Sequence, residues 1–155
     1  MLDDVQITVP GGGEAFPAGR AVPENPEAYP EYRMFGPLPA YGLYCRHARG
    51  LTLDRVAFRT AKPDARPALF GDDVEDLSVS ALSGPAPAAP ATPLMELRDA
   101  RRARIRETRS AAPSQPLLRL SGARTADVAI AREQESDAAV LADPEVSASA
   151  WRWLR

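Results

Sequence analysis

Asp72 and Asp73, in the segment LFGDDV, are the residues whose types and spacing come closest to acid–base chemistry, and Asp54 lies eighteen residues before Asp72. Neighbouring carboxylates can have different pKa values, and hydrolysis needs one acid and one base. However, an aspartate pair after a glycine is also typical of a turn, and adjacent residues of a strand point to opposite faces. We therefore treat all three as weak catalytic candidates and assign no catalytic residue.

The chain has one histidine, His47, and one cysteine, Cys45. His47 has no nucleophile or carboxylate at a recognisable motif spacing, so we expect it to form structural hydrogen bonds rather than act as a general base. Cys45 lies in an alternating run and is expected to be a small buried residue rather than a nucleophile. A single histidine cannot build a His-based metal site, and a single cysteine cannot form an intrachain disulfide. We expect neither a metal nor a cofactor.

Aromatic residues cluster in and just after a Gly- and Pro-rich stretch, residues 10–42, that reads as a long loop. All four tyrosines lie within sixteen residues of one another: Tyr29, Tyr32, Tyr41 and Tyr44. Aromatic faces stack on sugar rings, and arginine pairs with carboxylates. Because of these properties, we take as candidate substrate-binding residues Tyr29, Tyr32, Arg33 and Tyr41. The alternative is that the aromatic rings are buried and hold the loop against the rest of the protein.

The elements that would position these residues recur at a fixed interval. Apolar pairs that would share one face of a strand begin 26, 26 and 25 residues apart, at Leu51/Leu53, Leu77/Val79, Ala103/Ile105 and Val128/Ile130. A second apolar position precedes each pair by eight residues, at Leu43, Leu69, Met95 and Leu120, with Leu118 as the alternative in the last unit. A fixed period of about 20 to 50 residues predicts a solenoid, and the short strands favour an all-β one. Evenly spaced strands of an antiparallel sandwich are the alternative.

In the solenoid interpretation the chain is a single domain. Residues 1–9 form a first strand, 10–42 the loop insertion, 43–133 the repeated coils, and 134–155 a tail. Asp143, Pro144 and Glu145 resemble the start of a helix, because they provide an N-cap, a first-turn proline and a first-turn acid. We predict that a short C-terminal helix covers the end of the solenoid.

The overall composition excludes several classes of protein. The chain has 155 residues, is 45% hydrophobic and carries a formal charge of −2, which is typical of one domain with a real core and argues against nucleic-acid binding. No segment is long and apolar enough to be a transmembrane helix, so we expect no membrane partner. The first nine residues lack the features of a signal peptide.

Three segments resemble the C-terminal half of bacterial glycoside hydrolase family 28 proteins, the polygalacturonase-like enzymes that act on pectic polysaccharides. They read ITVPGGG, then VPENPEAYPEYRMFGPLPAYGLYCRHARGLTLDRVAF, then DARPALFGDDVEDLSV, and a looser match continues to about residue 133. The resemblance implies a right-handed parallel β-helix of four to five coils. It also implies a pectic polysaccharide as substrate, and a full-length parent that is secreted or periplasmic.

The motifs that carry catalysis in that family are missing here. The family uses aspartates in an Asn-Thr-Asp motif and an Asp-Asp pair, supported by Gly-His-Gly and Arg-Ile-Lys motifs. This chain contains neither Asn-Thr-Asp nor Gly-His-Gly, and the family's catalytic motifs precede the region matched here. Asp72 and Asp73 match the paired aspartates only superficially, since the resemblance aligns them downstream of the catalytic set.

Three hypotheses follow for the function. The first is that the chain is the C-terminal β-helix portion of a polygalacturonase-like hydrolase, truncated at its start and inactive alone. The second is a standalone carbohydrate-binding or structural β-solenoid without catalysis. The third is a reduced enzyme that uses Asp54, Asp72 and Asp73. Because the first coil would present an unpaired strand edge, we also expect self-association through that coil.

Overall fold

The two apolar rows of the sequence form two parallel β-sheets. The computed structural model describes residues 1–17, 20–29, 31, 34–109, 112, 115–131 and 140–154. The six-stranded sheet contains, in order, β1 (Leu2–Gly11), β3 (Thr52–Lys62), β5 (Ser78–Ser80), β7 (Arg101–Arg106), β9 (Ala126–Ala131) and β11 (Trp151–Leu154). The five-stranded sheet contains, in order, β2 (Leu43–Arg46), β4 (Leu69–Asp72), β6 (Met95–Arg98), β8 (Leu118–Ser121) and β10 (Val140–Ala142).

From β2 onward, successive strands alternate between the two sheets, so each coil contributes one strand to each sheet. All strand pairings in the described part of the chain are parallel. The fold is a right-handed parallel β-helix of about four turns. The antiparallel sandwich is therefore excluded.

The core lies between the sheets and is built from side chains stacked from coil to coil. The predicted column of the six-stranded sheet is confirmed by register: Leu53 pairs with Val79, Val79 with Ile105, and Ile105 with Ile130. Leu53, Val79, Ile105 and Ile130 are each at most 1% exposed. Ala103 also pairs with Val128, as predicted, while Leu51 and Leu77 stand just before β3 and β5.

The apolar row of the five-stranded sheet follows the prediction in β2, β4 and β6 but not in β8. Leu43 pairs with Leu69, Leu69 with Met95, and Met95 with Leu118. Leu120 instead pairs with Leu97, so the alternative assignment through Leu118 is the correct one. Both leucines of β8 point into the core, which is why the sequence pattern alone could not separate them.

The coils bend at corners where the backbone adopts left-handed φ values. One corner recurs just after β2, β4, β6 and β8, at His47 (φ 52°), Asp73 (52°), Asp99 (53°) and Gly122 (82°). A second recurs at Gly50, Asp76, Arg102 and Asp127, and a third at Asp4, Arg55, Ala81 and Glu107. Left-handed residues reverse the chain direction sharply, and Gly, Asp and Asn tolerate this conformation best. The many Asp residues between the strands therefore have a conformational reason.

The predicted C-terminal helix is wrong. Residues 140–142 and 151–154 are strands that extend the two sheets, and two tight turns join them, closed by the bonds from Val146 N to Asp143 O and from Ala150 N to Ser147 O, both 2.9 Å. An isolated helix of three turns gains little by itself, whereas β11 pairs with the free edge of β9 along its length. Trp151 and Trp153 of this last strand are partly buried and pack against the hydrophobic core.

The long loop is tied to the β-helix at its start. Asp64, only 2% exposed, accepts hydrogen bonds from Gly13 N (2.8 Å) and from Arg66 Nη2 (2.8 Å). Burial alone would raise the pKa of Asp64, but the hydrogen bonds from Arg66 and Gly13 outweigh it, so the pKa is lowered. An ionised aspartate thus fixes the point where the chain leaves β1.

Candidate functional site

The three aspartate candidates are all engaged in ion pairs. Asp72, 8% exposed, accepts Arg98 in a bidentate pair, with Nε 2.8 Å from Oδ1 and Nη2 2.5 Å from Oδ2. Asp54 lies in β3 on the other sheet and accepts a hydrogen bond from Arg55 at 2.5 Å. Asp54 and Asp72 therefore lie in different sheets.

Asp73 lies at a corner between strands, where several basic side chains contact its carboxylate. Its Oδ2 lies 2.8 Å from His47 Nδ1, and its Oδ1 lies 3.3 Å from Arg124 Nη1 and 3.6 Å from Arg101 Nη2. The hydrogen bond with His47 and the nearby guanidinium groups lower the pKa of Asp73, although partial desolvation opposes them. An ionised carboxylate in this setting is a structural anchor and is poorly suited to be a proton donor.

The predicted sugar-binding tyrosines have different environments. Tyr29 is 85% exposed, whereas Tyr41 is 5% exposed, packs edge-on against Phe58 and donates its hydroxyl to Pro85 O at 2.9 Å. The ring of Tyr41 is therefore buried and holds the loop in place, as the second interpretation of the aromatic cluster expects, and it offers no face to a sugar. Tyr32 and Arg33 lie outside the described residues.

Two basic residues at the end of β2 hold the middle of the loop. Arg46 donates to Val22 O (2.6 Å) and Pro23 O (3.2 Å) and lies 3.1 Å from a carboxylate oxygen of Glu24. The other carboxylate oxygen of Glu24 lies 3.2 Å from His47 Nε2. His47 thus bridges Glu24 and Asp73, and both contacts raise its pKa. The expected structural role of His47 is confirmed.

Between this loop and the outer face of the five-stranded sheet lies a groove of about 380 Å³. Strands alternate their side chains, so the residues beside the buried leucines of β4, β6 and β8 point outward. In register, Tyr44, Phe70, Glu96 and Arg119 form one such outward row. The loop contributes residues from the opposite side, among them Phe16, Arg20 and Val22.

Most charged groups of the groove are neutralised within the protein. Arg98 pairs with Asp72, and Arg119 Nε lies 3.0 Å from Asp143 Oδ1. Arg20 lies over the ring of Phe16 at 5.5 Å. Glu96 differs from these residues, since no hydrogen bond or ion pair joins its carboxyl group to any described residue. Burial raises the pKa of Glu96, with Arg119 and Arg98 opposing and Asp143 adding to that effect.

The hydroxyl group of Tyr44 is a second unsatisfied group in the groove. Its oxygen is buried and has no hydrogen-bond partner in the described part of the molecule. Burial is also the main cause that raises the pKa of this phenol. Buried polar atoms are nearly always hydrogen-bonded in native proteins, so an unpaired one in a groove marks a position that a water molecule or a ligand can satisfy.

The sequence interpretation did not single out Glu96, Arg98 or Arg119. The signal was present, because each follows an inward apolar residue of a repeated strand and must therefore point outward. The pattern could not show the opposite wall of the groove, since nothing local indicates that residues 15–17, 20 and 22 lie against these side chains.

The described residues contain no group of three or more His, Cys, Asp or Glu side chains that could hold a metal ion. The same residues include no helix of the length and hydropathy needed to cross a membrane. Comparisons with known protein families, with curated proteins and with solved structures found no match.

Proposed function

We propose that this chain is the C-terminal β-helix part of a polygalacturonase-like glycoside hydrolase and that it binds pectic polysaccharide without cleaving it. The sequence resemblance and the parallel β-helix both support this family. The observation that carries the binding role is the groove beside β2, β4, β6 and β8, where aromatic and guanidinium side chains face a covering loop.

The lining of the groove suits a carbohydrate. Phe16 and Tyr44 supply aromatic surface, which packs against the C–H faces of sugar rings. Arg20, Arg98 and Arg119 supply planar donors for the hydroxyl and ring oxygens of a sugar. The volume of about 380 Å³ lies within the range of about 300–1,000 Å³ that is usual for small-molecule sites. A short stretch of a polymer therefore fits better than a large folded partner.

The same geometry explains why binding is proposed without hydrolysis. Glycosidic cleavage needs an acid and a base placed on either side of the bond. Asp72 and Asp73 are each committed to basic side chains, and the groove has one unpaired carboxyl group, Glu96, among its described residues. A single acid without a positioned base does not complete the inverting mechanism.

Binding to pectic oligosaccharides measured by calorimetry tests the proposal. We expect the intact chain to bind oligomers derived from pectin, and Arg20→Gln to weaken binding several-fold by removing a donor at the groove. Arg59→Gln is the matched control, because Arg59 is exposed on β3 in the other sheet. Equal loss in both variants, or no binding by the intact chain, would contradict the groove as a polysaccharide site.

A scaffold role without a ligand is the second candidate, and one observation favours it. Ion pairs run from coil to coil along the second corner: Asp76 contacts Arg49 (3.3 Å) and Arg102 (2.6 Å), while Asp127 contacts Arg104 and Arg152 (both 3.0 Å). Such a ladder holds the coils together and needs no ligand. A chain that binds none of the oligomers above and melts cooperatively would support this scaffold role.

A further inference from the structure

Two unsatisfied polar groups face the groove from one outward row. The Tyr44 hydroxyl is buried without a hydrogen-bond partner, and the Glu96 carboxyl makes no hydrogen bond or ion pair with any described residue. Phe70 lies between them in register, pairing with Tyr44 on one side and Glu96 on the other. Because neighbouring strands lie about 4.8 Å apart, the two groups start from backbone positions about 10 Å apart.

The surrounding charges decide what kind of ligand would satisfy both groups. A ligand carboxylate beside Glu96 would face a second carboxyl group that has no hydrogen bond or ion pair with any described residue. A ligand cation would meet Arg119 on the next strand and Arg98 on the same strand, both of which act on Glu96 electrostatically. The described residues also offer no set of side chains for a metal ion. An uncharged group that can donate a hydrogen bond suits Glu96 best.

The phenol of Tyr44 provides the second polar contact of the proposed site. It can donate to a ring or hydroxyl oxygen and accept from a second hydroxyl group. A pair of linked, uncharged sugar units would satisfy Tyr44 and Glu96 at once.

Resting on the proposed polysaccharide binding, we infer that Glu96 and Tyr44 make the groove selective for sugar units that carry no negative charge. In a pectic chain such units are neutral sugars or uronates whose carboxyl group is esterified. Glu96 accepts a hydrogen bond from a ligand hydroxyl and repels a free ligand carboxylate. Tyr44 contributes to affinity but does not discriminate charge.

Acidity changes this selectivity in a defined direction. The charged groups acting on Glu96 are Arg119 and Arg98, which favour its ionised form, and Asp143, which disfavours it. Arg20 and Glu145 also line the groove. When Glu96 is protonated it donates a hydrogen bond and no longer repels a carboxylate. Selectivity against free uronates therefore falls as the pH is lowered through the raised pKa of Glu96.

The experiment compares two galacturonan oligomers of equal length, one fully methyl-esterified and one fully de-esterified, together with a neutral galactan oligomer. Calorimetry at pH 7 is run on the intact chain, on Glu96→Gln and Tyr44→Phe, and on the control Arg59→Gln. We expect the intact chain to bind the esterified oligomer about tenfold more tightly than the acid form, which corresponds to about 1.4 kcal/mol. Glu96→Gln, which keeps the shape of the side chain, should bring the two affinities within about threefold, mainly by improving binding of the acid form.

Tyr44→Phe should weaken the binding of both oligomers by a similar factor of about three to ten and leave the ratio of the two affinities unchanged. Thermal melting of each variant verifies that the fold is retained. Equal or tighter binding of the acid form by the intact chain, or an unchanged ratio in Glu96→Gln, would overturn the selectivity while leaving pectic binding intact. Binding of galactan alone would instead overturn binding of the galacturonan backbone and uphold selection for uncharged sugars. Absence of binding to every oligomer would overturn both.

Discussion

His47 Nδ1 lies 2.8 Å from Asp73 Oδ2, and the two residues occupy the same corner in successive coils, 26 positions apart. His47 also reaches Glu24 of the long loop through its other ring nitrogen, at 3.2 Å. One imidazole therefore joins two coils and the loop, so its protonation state links loop attachment to pH.

The first prediction concerns that linkage. Hydrogen bonds to Asp73 and Glu24 raise the pKa of His47, so its stabilising contribution is complete below about pH 6.5 and is lost as the pH rises through the higher folded value. The pKa of Asp73 is lowered, so its contribution is complete above about pH 4 and is lost on acidification. Both contributions are therefore complete between about pH 4 and 6.5.

The test uses His47→Asn, since asparagine tolerates the left-handed backbone of this corner and does not titrate. We expect the difference in melting temperature between the intact chain and the variant to be largest between about pH 4 and 6.5 and to shrink toward pH 9. Arg46, Arg101 and Arg124 also lie close to the carboxylates of this cluster. A difference that does not vary with pH would show that the imidazole does not couple to folding.

The second prediction concerns the stacked core. Ile105 is 1% exposed and lies between Val79 and Ile130 in the column of the six-stranded sheet. Ile105→Ala should lower the free energy of unfolding by about 2–5 kcal/mol, because a cavity opens between two coils. Leu141→Ala is the matched control, since Leu141 is 37% exposed, and should cost about 0.5 kcal/mol or less. Denaturant titration measures both values, and similar costs would contradict the stacked column.

The third prediction compares two glycines with left-handed backbones. A side chain at Gly50 (φ 72°) meets nothing within 4 Å, whereas a Cβ at Gly122 (φ 82°) would lie 2.4 Å from Asp99 Oδ1 and 2.9 Å from Asp99 N. Gly50→Ala should cost about 1–2 kcal/mol of folding free energy from backbone strain alone. Gly122→Ala should cost clearly more, because steric overlap with the adjacent coil adds to the same strain. Equal losses in denaturant titrations would contradict the close approach of the coils at this corner.

The fourth prediction separates structure from catalysis at Asp72. The purified chain should release no reducing ends from polygalacturonate or rhamnogalacturonan. Asp72→Asn should instead reduce stability by about 1–3 kcal/mol, because Arg98 loses a charge-assisted bidentate partner. Turnover that disappears in Asp72→Asn or Asp73→Asn would show that the chain is a reduced enzyme and would refute the non-catalytic proposal.

The fifth prediction concerns association. β1 and β2 are edge strands of the two sheets, and Leu2, Ile7 and Val9 of β1 are only partly buried. Exposed strand edges with apolar neighbours pair readily with other strands. We expect sedimentation velocity to show concentration-dependent association, and Ile7→Lys to reduce it. A monomer that melts sharply at all concentrations would rule this surface out.

The periodic part of the fold is encoded locally. Leu53, Val79, Ile105 and Ile130 recur at nearly constant spacing, and a two-residue alternation leaves one face apolar in each strand, so stacked parallel coils bury all of them together. The aspartates at the corners carry the same information, because few residues other than glycine accept a left-handed backbone. The core column and the solenoid class could thus be predicted from these positions.

The other features of the structure depend on contacts between segments that are distant in sequence. Asp143, Pro144 and Glu145 have the local features of a helix start, yet the open edge of β9 offers residues 151–154 a full set of backbone hydrogen bonds, and the segment becomes a strand. Met95 aligns with Leu118 because the whole of β8 pairs with β6, which no single residue specifies. Tyr41 is buried against Phe58, whereas Glu96 and Tyr44 line a groove whose other wall includes residues 15–17, 20 and 22. Contacts between segments that are distant in sequence leave no periodic pattern. Only the tertiary structure therefore determines which polar side chains line the groove.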